Sequence, residues 1–147
     1  MNDSQTHTYE VNLHWDSERK GMLSSPALPT KIEVATPPDF PKGMKDIWSP
    51  QHLFVAAMSG CLMDTFLVVA ENSKFEFISF ECNAVGTVSE MNGQLAVTEI
   101  TLKPKVVIKS SEHEVQLKKI LEMSKNQCLI CNSVTTKISL EPIIVIP

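Results

Sequence analysis

The most apolar stretch of the 147-residue chain runs from residue 49 to residue 70 and predicts one long central helix. Ser49 is placed to cap this helix and Pro50 suits its first turn, while Asn72 and Ser73 are expected to end it. Apolar side chains occupy nearly every face, whereas a surface helix has one apolar stripe. We therefore expect the helix to be enclosed by a sheet or by a second copy of the chain.

A membrane span is the alternative interpretation, because the eighteen residues from Leu53 to Ala70 would be long enough. Asp64 and the Ser59-Gly60 pair interrupt the stretch, however, and no basic residues cluster at its ends. The N-terminus shows no basic segment followed by an apolar core. We therefore expect a cytoplasmic protein without a membrane segment.

Alternating apolar and polar residues predict strands on both sides of the helix. The predicted strands lie at residues 8–15, 21–25, 31–35, 78–88, 95–108 and 137–146. The first three form an antiparallel meander with Arg19 at the first hairpin, and the proline-rich run 36–45 is predicted to be a loop. Met91-Asn92-Gly93 is a hairpin turn signal, and Pro104 predicts an irregularity late in the following strand.

A second, amphipathic helix is predicted over residues 110–125, with Ser111 as its cap. Its apolar face consists of Val115, Leu117, Ile120 and Leu121. Residues 127–134 are predicted to form a further short helix. This order of elements indicates an α+β class in a single domain spanning residues 1–147. Because so small a chain has little else to enclose an all-round apolar helix, a homodimer is expected.

The charge and the cysteine content limit the classes of function that the chain can have. The formal charge is -4 and the thirteen basic residues are scattered, so a nucleic-acid partner is not expected. In a cytoplasmic protein the cysteines are reduced at rest, which favours metal-binding, catalytic or buried cysteines over structural disulfides. The four cysteines are Cys61, Cys82, Cys128 and Cys131.

The Cys128-Leu-Ile-Cys131 motif is of the type found in zinc sites and in thioredoxin-like redox sites. A zinc site needs four ligands, but no second pair of this spacing exists and the four histidines show no ligand spacing. A thioredoxin-like motif would follow a first strand, whereas this one comes late and follows a helix. We therefore expect no metal and no cofactor, with a zinc-binding module kept as an alternative.

Cys61 lies in the middle of the central helix, on the same apolar side as Phe54. The simplest interpretation is a buried core cysteine. The alternative is a redox pair with Cys128, because a peroxide-reducing thiol needs a thiolate, an apolar pocket and a second thiol. Cys61 is too far inside the helix for the helix dipole to stabilise its thiolate. That task needs a cation, either Arg19 or a lysine of residues 42–45.

Two motifs resemble those of the OsmC/Ohr family of hydroperoxide-reducing proteins. They are Ser49-Pro-Gln-His-Leu-Phe-Val-Ala-Ala-Met-Ser-Gly-Cys61 and Cys128-Leu-Ile-Cys-Asn-Ser-Val. In that family the first motif contains Pro-Glu-x-Leu before the first cysteine, and the second begins with Cys-Pro. The resemblance covers nearly the whole chain. It implies antiparallel sheets around a long central helix, in an intertwined homodimer with active sites at the dimer interface.

The resemblance also implies a set of roles. By it, Cys61 is the peroxidatic thiol, Cys128 the resolving thiol and Arg19 the residue that stabilises the thiolate. The implied activity is thiol-dependent reduction of organic hydroperoxides, with a dithiol or a lipoylated protein as the reductant and no cofactor. The residues expected to line an apolar substrate pocket are Phe40, Trp48, Phe54 and Met58.

This sequence departs from the family motifs at two places. Gln51 replaces the glutamate that would clamp the arginine, and a neutral amide orients a guanidinium less firmly than a carboxylate does. Leu129 replaces the proline of the second motif, and Cys131 adds a third thiol. These departures keep open an alternative in which the same dimer has weak or no peroxidase activity and acts as a binding or stress-associated protein.

Overall fold

The computed structural model describes residues 5–147, and the chain divides into two compact units between Leu53 and Phe54. The helices and strands are β1 (Asn12–Ser17), β2 (Lys20–Ser25), β3 (Leu28–Ala35), α1 (Pro50–Asn72), β4 (Ser79–Met91), β5 (Gln94–Val107), α2 (Glu114–Gln127), β6 (Lys137–Leu140) and β7 (Ile143–Val145). The mixed α+β class is confirmed.

The first unit contains the three-stranded antiparallel sheet β1-β2-β3. The predicted meander is therefore confirmed, although β1 begins at Asn12 rather than at residue 8. Glu18, with a φ of 50°, and Arg19 form the turn between β1 and β2, which confirms that Arg19 lies at the first hairpin.

The predicted loop after β3 is confirmed and is tied to this hairpin by backbone hydrogen bonds. The Thr36 N–H donates to the carbonyl of Arg19 at 3.2 Å, and the Met44 N–H donates to the carbonyl of Thr36 at 2.8 Å. At Gly43 a Cβ atom would overlap the backbone carbonyl of Pro37, so the loop closes only with glycine at this position. The loop therefore has one defined path between β3 and α1.

Ser49 caps α1 as predicted. The His52 N–H donates to Ser49 Oγ at 3.1 Å, while His52 Nδ1 accepts from the Ser49 N–H at 3.3 Å. Ser49 Oγ also lies 2.7 Å from His52 Nδ1. This reciprocal arrangement is a capping box in which histidine takes the place of the usual glutamate or glutamine.

The sheet of the second unit is built on β5, which pairs with β4 on one side and with β6 and β7 on the other. Asn92 and Gly93, with φ of 53° and 82°, make the two-residue turn between β4 and β5. The pairings of β6 and β7 with β5 are parallel, so the expected antiparallel sheet is wrong here. The reason is that the chain returns to β5 through a crossover that contains α2.

The irregularity predicted at Pro104 does not lie in its pairing with β4, where the register shifts instead between Thr87 and Val88. It lies on the other side of β5. The carbonyl of Leu102 faces β6, and Pro104, two residues on, faces the same side without an N–H to donate. The predicted last strand is split at Pro142, so that β6 pairs with β5 up to Leu102 and β7 pairs only from Lys105.

The core of the second unit packs α1 and α2 with residues of the sheet. Phe66 of α1 stacks on Phe80 at 4.7 Å and meets Phe77 edge to face at 5.1 Å between ring centroids. The buried residues of this cluster are Phe66, Val69, Ala70, Phe75, Val106, Ile108, Leu117, Ile120 and Leu121. The predicted apolar face of α2 is thus confirmed for three of its four residues.

Three details of the second helical region were predicted wrongly. Val115 is exposed, because it lies in the first turn of α2 outside the buried stripe. Ser110, not Ser111, caps the short 3-10 turn Ser111–His113 that precedes α2. Residues 127–134 form no second α-helix, because α2 itself continues to Gln127 and Cys128 is extended; only the 3-10 turn Cys131–Ser133 follows.

The long apolar helix is buried on one side only within the chain. Met58, Leu62 and Phe66 are fully buried, whereas Met63 and Val68 are exposed. By length and composition α1 is the one helix among residues 5–147 that could cross a membrane. Its buried side packs against the sheet residues of the second unit.

Candidate functional site

All four cysteines lie in or against one buried cluster of the second unit, and hydrogen bonds connect Cys61 and Cys128 with backbone amides of residues 130 and 131. Cys61 of α1 packs against the buried cluster that contains Cys128 and Cys131. The Ile130 N–H donates to Cys61 Sγ at 3.4 Å, and the Cys131 N–H donates to Cys128 Sγ at 3.4 Å. We call Cys61, Cys128 and Cys131 the three-thiol cluster, and residues 128–131 the thiol loop.

The thiol loop is fixed at the end of α2 by backbone and side-chain hydrogen bonds. The Cys128 N–H donates to the carbonyl of Lys125 at 3.2 Å, where the helix ends. The Asn132 N–H donates to the carbonyl of Cys128 at 3.0 Å, and the Asn132 side-chain amide donates to the carbonyl of Asn126 at 3.0 Å. The loop therefore has a defined shape before any chemistry occurs.

Burial controls the ionisation of the thiol loop. It raises the pKa of Cys128 far above its usual value, and hydrogen bonds with the side chains of Cys131 and Cys61 raise it further. Burial also raises the pKa of Cys131, while the positive charge of Lys125 acts in the opposite direction. These effects favour the neutral thiol of Cys128 over its thiolate.

Cys82 packs against the same buried cluster but is not part of the thiol loop contacts. It is half-buried on β4, and burial raises the pKa of its thiol. Its hydrogen-bond contacts are with the backbone of Asn83 and Lys103. Among the residues that the structure describes, Cys82 makes no hydrogen bond with another cysteine, and it is therefore left out of the three-thiol cluster.

Arg19 lies in the first unit and is exposed. It lines a recess of about 350 Å³. The other residues of this recess are Leu13, Trp15, Glu18, Lys20, Gly21, Val34, Ala35, Thr36 and Pro50. The adjacent Lys20 pairs with Asp16 at 3.9 Å and Glu33 at 3.3 Å, whereas Arg19 has no ion pair within residues 5–147. Its guanidinium is therefore available to an anion.

Gln51 directly follows Pro50, which lines the same recess. The side chain of Gln51 has an unpaired polar atom. Its Oε1 atom is buried and has no hydrogen-bond donor among the described residues. A buried acceptor without a donor costs about 1–3 kcal/mol, so such an atom needs an explanation. The first unit thus contains both the Arg19 guanidinium, which has no ion pair among the described residues, and the Gln51 Oε1 atom, which has no hydrogen-bond donor there.

The four expected pocket residues are divided between the units. Met58 is fully buried in the core that holds Cys128, and Phe54 is half-buried against the same core. Trp48 is exposed and meets His52 edge to face at 6.0 Å, while Phe40 is half-buried in the loop before α1. Met58 is consequently a core residue, and the other three retain some access to solvent.

Two groups near the cysteines were missed in the sequence. The positive charge of Lys125 acts to lower the pKa of Cys131. Its position in the sequence, one helical turn before Cys128, could have indicated a cation near the thiol loop. The Ile130 N–H that contacts Cys61 Sγ could not be found from sequence, because a backbone amide leaves no residue-type signature. Within residues 5–147, no group of three or more histidine, cysteine or acidic side chains is arranged to hold a metal ion.

Comparisons with known proteins agree with this architecture. The sequence profile of the family described as OsmC-like protein matches residues 43–142. A solved OsmC-like protein of unknown function from Vibrio cholerae is 26% identical, and the match covers 94% of this chain and 100% of that chain with a TM-score of 0.86.

Two further relatives extend the comparison. An organic hydroperoxide resistance protein from Elizabethkingia anophelis shares the fold with a TM-score of 0.78 and 18% identity, over 99% of this chain and 100% of that chain. The uncharacterised protein YmaD of Bacillus subtilis is 23% identical over 140 residues, which is 92% of this chain and 91% of that protein.

The raised pKa of Cys128 predicts a pH effect on folding. Below pH 9.0, the ordinary thiol value, Cys128 is protonated in both the folded and the unfolded chain. Above it the unfolded chain releases a proton that the folded chain keeps, so the free energy of unfolding falls as pH rises. Urea unfolding of the reduced protein at pH 7.5 and pH 10 measures this fall, which Cys128→Ser is expected to diminish. Val134→Ala is the neighbouring control, and an unchanged fall in Cys128→Ser would contradict the prediction.

Proposed function

Because the chain belongs to the family of OsmC-like proteins, we propose that it is a thiol-dependent peroxidase that reduces organic hydroperoxides. The observation that carries the proposal is the meeting of Cys61 and Cys128 in one cluster, although 67 residues separate them in the sequence. Organic hydroperoxide resistance proteins of the same fold support the choice of substrate class.

The proposed reaction uses the two thiols in sequence. Cys61 Sγ attacks the distal oxygen of the hydroperoxide, the O–O bond breaks, and an alcohol leaves as Cys61 becomes a sulfenic acid. Cys128 Sγ then attacks Cys61 Sγ, forming the disulfide, and its proton leaves with the hydroxyl group as water. The Ile130 N–H supports this geometry by holding Cys61 Sγ against the thiol loop.

Arg19 is proposed to stabilise the Cys61 thiolate and the developing charge on the peroxide. Its exposure and lack of an ion-pair partner within residues 5–147 support this role. The unpaired Oε1 of Gln51 is the proposed acceptor for the guanidinium, in place of the glutamate of the family motif. A neutral amide gives one weaker hydrogen bond where a carboxylate gives two charge-assisted ones.

An apolar substrate is proposed over hydrogen peroxide. Phe54 lies half-buried against the core that contains Cys128, and Phe40 and Trp48 add apolar surface near the start of α1. Met58 supports Cys61 from the core of the second unit. The regenerating reductant is proposed to be a dithiol or a lipoylated protein, acting in the cytoplasm by thiol–disulfide exchange.

A homodimer is part of the same proposal. In the first unit, alternate residues from Tyr9 to Trp15 are exposed and apolar, with Trp15 70% exposed. In the second unit, Met63, Leu67 and Val68 leave an apolar strip on α1. Exposed apolar surface of this extent is typical of an interface, and two copies of the chain would cover it.

The peroxidase proposal is tested with cumene hydroperoxide. We expect the reduced protein to consume one equivalent and to lose the free thiol of Cys128, with the disulfide mapped by mass spectrometry. Cys61→Ser is expected to abolish consumption, because it removes the attacking sulfur, whereas Cys82→Ser is the matched control and retains the parent rate. Peroxide consumption that persists in Cys61→Ser, or none in the parent, would refute the assignment.

A family member with weak or no catalysis is the second candidate, and Gln51 is the observation that favours it. If the neutral amide limits the rate, Gln51→Glu is expected to raise peroxidase kcat/KM on the order of tenfold, since charge-assisted hydrogen bonds are about twice as strong as neutral ones. Stopped-flow consumption of cumene hydroperoxide measures the change, with His52→Gln as a control at the next residue. A parent that is inert while Gln51→Glu is active would favour the second candidate, and an unchanged rate would remove Gln51 from the mechanism.

The dimer is tested by light scattering. We expect the parent to show twice the mass of one chain. Val68→Asp places a charge on the exposed strip of α1, where Val68 is 55% exposed, and is expected to weaken the dimer. Val115→Asp, at an exposed position of α2, is the control that leaves the mass unchanged. A parent that runs as a monomer would exclude the homodimer.

A further inference from the structure

Cys128 is the middle sulfur of the three-thiol cluster. It packs in one cluster with Cys61 and Cys131, and the side chains of both neighbours raise its pKa. The Cys131 N–H donates to Cys128 Sγ at 3.4 Å, which keeps these two residues of the thiol loop side by side. Both Cys61 and Cys131 are thus candidate disulfide partners of Cys128.

We propose that the thiol loop is a disulfide relay, in which Cys131 attacks the Cys61–Cys128 disulfide and transfers it to Cys128–Cys131. This inference rests on the peroxidase function proposed above. It makes Cys131 a third redox-active residue, in direct contact with the reacting sulfur of Cys128. The oxidised protein then carries its disulfide within the thiol loop and has its Cys61 thiol restored.

The relay step is a thiol–disulfide exchange and needs no further oxidant. The Cys131 thiolate attacks Cys128 Sγ, the Cys128–Cys131 bond forms, and the Cys61–Cys128 bond breaks. Cys61 leaves as a thiolate and takes up the proton that Cys131 has lost. The two electrons removed by the hydroperoxide are returned later, when an external dithiol reduces Cys128–Cys131 by two such exchanges.

The surroundings of Cys131 favour this attack. Burial raises the pKa of Cys131 and the nearby Cys61 raises it further, while the contact with Cys128 and the charge of Lys125 act to lower it. No comparable cation influences Cys128, whose pKa burial and both neighbouring thiols raise. Cys131 is therefore the member of the CxxC pair that is better able to act as a nucleophile.

The position of the loop fits reduction by an external dithiol. Cys128 is fully buried, Cys131 is 8% exposed, and the intervening Leu129 is 68% exposed. A reductant that docks on Leu129 would reach Cys131 first and release Cys128 into the core. The relay thereby separates the sulfur that meets the hydroperoxide from the sulfur that meets the reductant.

The test is a time course with disulfide mapping. The reduced parent receives one equivalent of cumene hydroperoxide, and samples are quenched with acid, alkylated and digested with trypsin. Cleavage after Lys125 and Lys137 leaves Cys128 and Cys131 on one peptide and Cys61 on another. A Cys61–Cys128 disulfide therefore links two peptides, whereas a Cys128–Cys131 disulfide lies inside one.

In the parent we expect the linked peptides to appear first and to be lost as the internal disulfide accumulates and Cys61 becomes available to alkylation. Cys131→Ser should stop at the linked peptides, and Cys82→Ser should behave as the parent. Linked peptides that persist in the parent would overturn the relay and leave the peroxidase intact, as would a Cys61–Cys131 link. No peroxide consumption and no disulfide in any variant would overturn the proposed function itself.

Discussion

The contact between α1 and the thiol loop is the constraint on which the candidate site depends. The Ile130 N–H donates to Cys61 Sγ, and the buried core around Met58 and Leu62 closes over Cys128 and Cys131. Burial in this core excludes water and raises the pKa of Cys128. A thiol that is neutral until it reacts is protected from oxidation by solvent species. The same packing that stabilises the second unit therefore also prepares its sulfur chemistry.

The departures from the family motifs change the surroundings of the candidate site in two places. With leucine in place of proline, residue 129 presents an exposed apolar side chain on the thiol loop, and Cys131 supplies a thiol one short turn beyond Cys128. Gln51 leaves a buried carbonyl oxygen without a donor in the first unit. In the proposed mechanism, the first change adds a thiol to the site and the second replaces a charge-assisted contact of the arginine with a neutral one.

Sequence patterns predicted most elements. The helix α1, its Ser49 cap, the hairpin at Arg19 and the Asn92-Gly93 turn depend on local residue preferences, and all were confirmed. The continuous last strand failed because Pro142, which has no N–H to donate, lies in the break between β6 and β7. Val115 failed because it lies two residues before Leu117, on the face of α2 opposite the buried residues.

For the candidate site, the sequence by itself determined which residues are available for the proposed chemistry: four cysteines, a hairpin arginine, and a motif at the start of a helix with glutamine where a glutamate is usual. The tertiary structure alone decided which of them meet. It brought Cys131 into the cluster with Cys61 and Cys128, placed Cys82 against the same core with a hydrogen bond to the Asn83 carbonyl, and added Lys125 and the amide of Ile130. The reason is that residue type sets what a side chain can do, whereas burial and proximity, which set when it does so, arise only from the packing of segments far apart in the chain.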